Sequence, residues 1–166
     1  MISTFMAENF LLTRVILGVG FIAAVAVAIL LARRGARGRR IATILAAVAG
    51  ILVLALTLSP DPTGRQDAAV CNLEPHAFLY DVLNVALFLL PAMFAVVATR
   101  RAALVALAVP VTSAVIELVQ YLSPMLGRRC DVDDWLANLI GGLIGVLIGL
   151  AALWLGRRAD RVSPSA

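Results

Sequence analysis

The chain has 166 residues, of which 62% are hydrophobic and 14% are charged, and its formal net charge is +4. An ordinary soluble domain is about 45–50% apolar, so this composition leaves too little polar surface to enclose one globular core. The positive charge comes entirely from arginine. Because the arginines cluster at the ends of apolar runs, we attribute them to membrane topology and expect no nucleic-acid partner. The composition favours an integral membrane protein.

Five apolar runs follow one another along the chain, and each can form the helix of about 20 residues that crosses a bilayer. The first run shows no cleavage site before a soluble domain, so we interpret it as a retained helix and not as a signal peptide. The predicted fold class is therefore an all-α, polytopic bundle of five transmembrane helices in the cell membrane. The predicted spans are residues 10–32, 41–59, 82–99, 102–122 and 135–155.

These runs suggest three parts. Residues 1–80 would hold two N-terminal transmembrane helices and an outer loop, residues 81–156 a three-helix core, and residues 157–166 a disordered cytoplasmic tail.

The distribution of arginines predicts the orientation of the chain. If five helices alternate in direction, the segments 33–40, 100–101 and 157–161 share one side and carry ten of the 14 arginines. Positive residues are retained on the cytoplasmic side, so we expect the N-terminus outside and the C-terminus in the cytoplasm. Loops 60–81 and 123–134 then face outward.

Both cysteines, Cys71 and Cys130, lie in these two outer loops. An oxidising compartment outside the cytoplasm would allow them to form a disulfide, which we favour over two unrelated thiols. The sequence contains no CxxC pair, and we expect neither a bound metal nor a cofactor.

Polar side chains recur near the outer ends of the last three spans, where burial is costly and such residues usually have a partner or a task. At 1.5 Å per residue, Asn84 and Asn138 lie about 5–6 Å inside their helices and Glu117 lies about 8 Å inside. We therefore predict that three helices turn polar faces toward each other, with Arg128 or Arg129 able to reach Glu117 or an aspartate. The predicted polar cluster comprises Asp81, Asn84, Glu117, Gln120, Arg128, Asp131, Asp134 and Asn138.

A ridge of glycines continues this face toward the other side of the membrane. Gly141, Gly145 and Gly149 form a GxxxGxxxG pattern, which allows another helix to approach closely. Asp134 and Asn138 extend the ridge outward. The pattern leaves open whether the ridge packs within the chain or against a second copy.

Three motifs together resemble the VanZ-like family of small bacterial membrane proteins: DVLNVALFLLP (81–91), IELVQ (116–120) and RRCDVDDWLANLIGGLIG (128–145). The resemblance covers about residues 81–155. The member that names the family is associated with resistance to the glycopeptide teicoplanin, so the resemblance implies lowered susceptibility to glycopeptides or lipoglycopeptides. Cys130 replaces the aromatic or aliphatic residue expected in the family, and this departure supports a disulfide to Cys71.

Two functions remain open. We favour a non-enzymatic envelope protein whose outward polar cluster binds a lipid headgroup, a lipid-linked cell-wall precursor, a lipoglycopeptide or a partner protein. The alternative is a membrane-embedded enzyme or carrier for a lipid-linked substrate. Glu117 would then be a general base, Arg128 would hold a phosphate and Asp134 would orient the arginine. The sequence has no Ser-His-Asp set, phosphate loop or HExxH motif, which favours the first function.

Overall fold

The computed structural model describes residues 10–60, 71–74, 82–128 and 130–162. Within these ranges the chain forms five α-helices and two very short strands. The helices are α1 (Phe10–Arg33), α2 (Gly35–Thr57), α3 (Val82–Thr99), α4 (Ala102–Leu122) and α5 (Val132–Val162). The strands β1 (Cys71–Asn72) and β2 (Cys130–Asp131) pair in parallel, and a 3₁₀ turn, Pro124–Leu126, precedes β2. The predicted all-α class is confirmed.

Four of the described helices, α1, α2, α4 and α5, are long and apolar enough to cross a membrane. The remaining helix, α3, has 18 residues and is therefore about 27 Å long, close to the roughly 30 Å of a bilayer core. This set of helices is compatible with the predicted five spans.

The outer faces of α1 and α2 carry large apolar side chains that no other part of the described chain covers. Ile16, Ile22, Ile44 and Ile51 are all exposed. A continuous apolar surface of this extent is typical of contact with lipid, where the chain needs no polar exterior.

The centre of the bundle is the contact between α3 and α5, which is the largest between any two described helices. Met93, Val96 and Val97 of α3 are almost completely buried there. A Cβ atom at Gly141 would overlap the carbonyl oxygen of Val85, and one at Gly145 would overlap that of Leu89.

Gly149 continues the same contact, since a Cβ added there would lie 2.7 Å from the Cβ of Val96. The glycine ridge therefore packs within the chain, against α3. Removing the side chains lets the two backbones approach closely, which is how small residues stabilise helix pairs in membranes.

Two predicted boundaries are wrong. We expected a loop at residues 33–40, but α2 already begins at Gly35, whose φ of +54° makes the turn. Arginine is a good helix former, so the basic residues after this turn join the helix.

We also expected a disordered tail from residue 157, but α5 continues to Val162. The Arg158 guanidinium lies 3.8 Å from the centre of the Trp154 ring, and this contact across one turn supports the helical conformation. Residues 163–166 lie outside the described residues.

The alternation of the helices gives the bundle two different ends. We call the end that carries β1 and β2 the disulfide end, and the opposite end, which carries Arg33, Arg101 and Arg157, the arginine end.

Candidate functional site

A disulfide joins Cys71 of β1 to Cys130 of β2, and the Cα atoms of the two cysteines are 4.5 Å apart. The strand register places Cys71 opposite Cys130 and Asn72 opposite Asp131. The covalent bond and the strand pair hold β1 against β2, directly before the start of α5.

Asp131 connects three elements at this end. Its Oδ1 accepts a hydrogen bond from the backbone N–H of Asp133 at 2.9 Å, which caps the first turn of α5. Its Oδ2 accepts a 3.4 Å bond from Nδ2 of Asn72. Its own backbone N–H donates to Oε2 of Glu117 in α4 at 2.9 Å.

Glu117 is the buried carboxylate of the site, with 7% of its surface exposed. Among the described residues, the charged side chains close enough to interact electrostatically with Glu117 are Asp134 and Asp131, both acidic. The bond from Asp131 occupies one carboxylate oxygen. Glu117 therefore accepts a backbone hydrogen bond and has two acidic side chains among its described neighbours.

Glu117 also lines a groove of about 630 Å³ between α4, the strand pair and α5. We call this the Glu117 groove. Apart from the two acidic side chains Glu117 and Asp131, most of its lining is apolar or aromatic. Its principal lining residues are Leu73, Glu117, Leu118, Tyr121, Cys130 and Trp135.

Other residues of the predicted cluster form hydrogen bonds between helices. Nδ2 of Asn84 in α3 donates to Oδ1 of Asp134 in α5 at 2.5 Å. Deeper in the bundle, Nδ2 of Asn138 in α5 donates to Oγ of Ser113 in α4 at 3.0 Å. These bonds connect α5 to α3 and to α4.

Gln120 faces a different neighbour. Its Nε2 donates to the carbonyl oxygen of Thr57 at the end of α2, at 2.9 Å. Its Oε1, like Oδ1 of Asn138, is buried without a hydrogen-bond partner in the described part of the chain. Gln120 thus connects α4 to α2, away from the aspartates.

We expected Arg128 or Arg129 to reach Glu117 or an aspartate. Arg129 lies outside the described residues, and Arg128 takes a different partner. Its Nε donates to the carbonyl oxygen of Ser59 at 3.0 Å, just beyond α2. Gly127, with a φ of +63°, ends the 3₁₀ turn in the left-handed conformation. The chain leaves this turn so that Arg128 lies on the α2 side of the bundle, and Arg128 and Glu117 line different cavities.

Several contributors were not found by sequence reasoning. Ser113 had a signal, because it lies one turn before Glu117 on the same helix and so shares its face. Thr57 and Ser59 had none, since they take part through backbone carbonyls. Trp135 donates its Nε1–H to the carbonyl oxygen of Pro110 at 3.2 Å.

The position of Asp81 and the absence of a bound metal stay predictions. Asp81 lies outside the described residues. Among the residues that the structure describes, no group of three His, Cys, Asp or Glu side chains is placed to hold a metal ion.

The sequence model of the VanZ/LLP1 family matches residues 43–154, which is more than half of the chain. The chain belongs to the VanZ/LLP1 family. The family region starts within α2, earlier than the motifs from residue 81 onward, and ends within α5. It therefore includes the strand pair, the Glu117 groove and the glycine ridge of this VanZ-like membrane protein. The chain matches no curated protein and no solved structure.

Proposed function

We propose that this VanZ-like protein binds an amphiphilic molecule in the Glu117 groove and thereby lowers the susceptibility of the cell to lipoglycopeptides. The groove lies at the disulfide end of the bundle, which we place on the outer side of the membrane. The ligand would enter from the outer leaflet, with its polar part at Glu117 and an acyl chain along the apolar lining.

The observation that carries this proposal is the charge around Glu117. In the described part of the chain, the charged neighbours of this buried carboxylate are Asp131 and Asp134, while Arg128 is bonded to Ser59 on another side of the bundle. A carboxylate in an acidic environment favours ammonium groups and hydroxyl or amide donors. A glycopeptide that carries an acyl chain has both the polar donors and the apolar part that this groove would accept.

The outward placement of the groove has two supports. A disulfide is stable in an oxidising compartment outside the cytoplasm, and Cys71 and Cys130 border the groove. Ten of the 14 arginines lie toward the other end, as the positive-inside rule requires of the cytoplasmic side.

An enzymatic function is less well supported. It requires Arg128 to hold a phosphate beside Glu117, so that acid–base chemistry and charge stabilisation act on one substrate. Because the two side chains line different cavities, a single substrate would not meet both.

Binding can be measured by surface plasmon resonance with the full chain in nanodiscs, empty nanodiscs as the reference and teicoplanin as the ligand. We expect saturable binding that Glu117→Gln weakens by about tenfold, the loss of one charge-assisted hydrogen bond. Glutamine keeps an oxygen that accepts from the Asp131 N–H, so the local fold should survive.

The matched control is Glu74→Gln, which removes an exposed carboxylate outside the groove lining and should leave affinity unchanged. Equal binding by wild-type protein and Glu117→Gln would exclude the groove as the teicoplanin site.

A further inference from the structure

A second groove, of about 420 Å³, lies between α2 and α3 in the half of the bundle toward the disulfide end. We call it the α2–α3 groove. Its lower part is lined by aliphatic side chains and Pro91. Arg128, Thr57 and Asn84 line its upper end. The groove therefore combines one basic group with an apolar channel.

The groove opens sideways, toward the space that lipid occupies. Leu52 and Leu56, which line one wall, are 55% and 47% exposed. Ala49, lower on the same wall, is partly exposed. An occupant can thus enter from the bilayer without passing through water.

Arg128 is positioned to present its guanidinium at the top of this groove. Its Nε is fixed by the bond to the Ser59 carbonyl, which orients the plane of the group. Arginine donates through a planar fork of N–H groups that matches the oxygens of a phosphate. With Nε anchored, the terminal nitrogens supply that fork.

The length of the groove fits a lipid. From Thr57 to Ala49 the α2 wall descends by about 12 Å, at 1.5 Å per residue. A phosphate at Arg128 would therefore have the upper part of an acyl chain beside Leu52, Leu56 and Leu87 below it. A guanidinium between two helices can hold an anionic headgroup through charge-assisted hydrogen bonds to its phosphate.

We propose that the α2–α3 groove binds an anionic phospholipid from the leaflet at the disulfide end, with its phosphate on Arg128 and one acyl chain in the apolar channel. This site does not depend on the proposed function, because the Glu117 groove is formed by α4, α5 and the strand pair. The lipid would fill the gap between α2 and α3 and bring negative charge to the arginine.

The test is native mass spectrometry of the full chain in detergent, titrated with phosphatidylglycerol or with diacylglycerol of the same acyl chains. We expect one tightly retained phosphatidylglycerol and at least about tenfold weaker retention of diacylglycerol, which lacks the phosphate. Arg128→Gln should weaken phosphatidylglycerol retention by a similar factor, and Arg128→Lys should weaken it less. The control Arg37→Gln removes an exposed arginine near the other end and should change nothing.

A second variant keeps the test decisive if Arg128→Gln does not fold. Ala49→Phe places a larger side chain in the lower channel from a partly exposed position and should also reduce phosphatidylglycerol retention, with Arg128 intact. Equal retention of the two lipids would overturn the proposal, as would an equal effect of Arg37→Gln. Binding of glycerol 3-phosphate as tightly as the lipid would instead indicate a site for soluble phosphate and would also overturn it.

Discussion

Asp131 illustrates how a single residue organises the disulfide end. Its side chain caps α5 through Asp133 and accepts from Asn72, while its backbone holds Glu117. The side-chain and backbone roles are separable, because a substitution changes only the first.

We predict that Asp131→Ala lowers the free energy of unfolding by about 1 kcal/mol, the usual effect of removing a helix N-cap. Asp131→Asn retains an oxygen that accepts from the Asp133 N–H, so it should lose much less. The measurement is thermal unfolding of both variants in the same detergent. If alanine and asparagine were equally destabilising, the capping bond would not be the cause.

The sequence predicted the depth of the polar residues in the bundle but not their hydrogen-bond partners. The rise per residue of a helix was enough to place Asn84, Glu117 and Asn138 near one end of the bundle. That these residues would have partners followed from the cost of burying charged and amide groups in a membrane. Which partner each residue takes did not follow. Gln120 and Arg128 bond to the carbonyls of Thr57 and Ser59, and a backbone acceptor carries no side-chain signal.

At the scale of elements, the α3–α5 contact depends on the absence of side chains along one face of α5. Gly141 and Gly145 lie directly against the α3 backbone. At Gly50 of α2, by contrast, a methyl group would meet no described atom within 4 Å beyond its chain neighbours and the adjacent backbone of its own helix. The two kinds of glycine therefore allow a matched comparison.

We predict that Gly141→Ala strongly destabilises the bundle, because its methyl group would overlap the Val85 carbonyl and force α3 and α5 apart. Gly50→Ala should be neutral or stabilising by up to about 1 kcal/mol, since alanine is the better helix former. Thermal unfolding in detergent compares the two. Equal stability of both variants would contradict the close approach of the two helices.

Helix positions were the most predictable part of the fold, because each span is a long apolar run. The errors fell at the ends of α2 and α5, where arginines continue a helix beyond the apolar run that identifies it. The glycine pattern predicted a close helix contact but did not identify the partner helix, since any helix of suitable shape can pack against such a ridge. The structure assigns it to α3.

At the scale of the whole molecule, the disulfide end and the arginine end should lie on opposite sides of the membrane. After mild reduction of intact cells, we predict that a membrane-impermeant maleimide labels Cys71 and Cys130. In a background with Cys71→Ser and Cys130→Ser, the control Ala36→Cys should be labelled only after permeabilisation. Labelling of Ala36→Cys in intact cells would show that the arginine end faces outward, contrary to the prediction.

We expect Glu117 to serve a function in addition to joining α4 to β2. The direct measurement is teicoplanin susceptibility of a susceptible Gram-positive host that expresses wild-type protein or Glu117→Gln, with membrane levels determined for both. We predict that the wild-type chain raises the minimum inhibitory concentration above that of the empty vector. Glu117→Gln, at an equal membrane level, should return it to the empty-vector value. Full protection by Glu117→Gln would contradict a functional role of Glu117. No protection by the wild-type chain would contradict the proposed function of the protein.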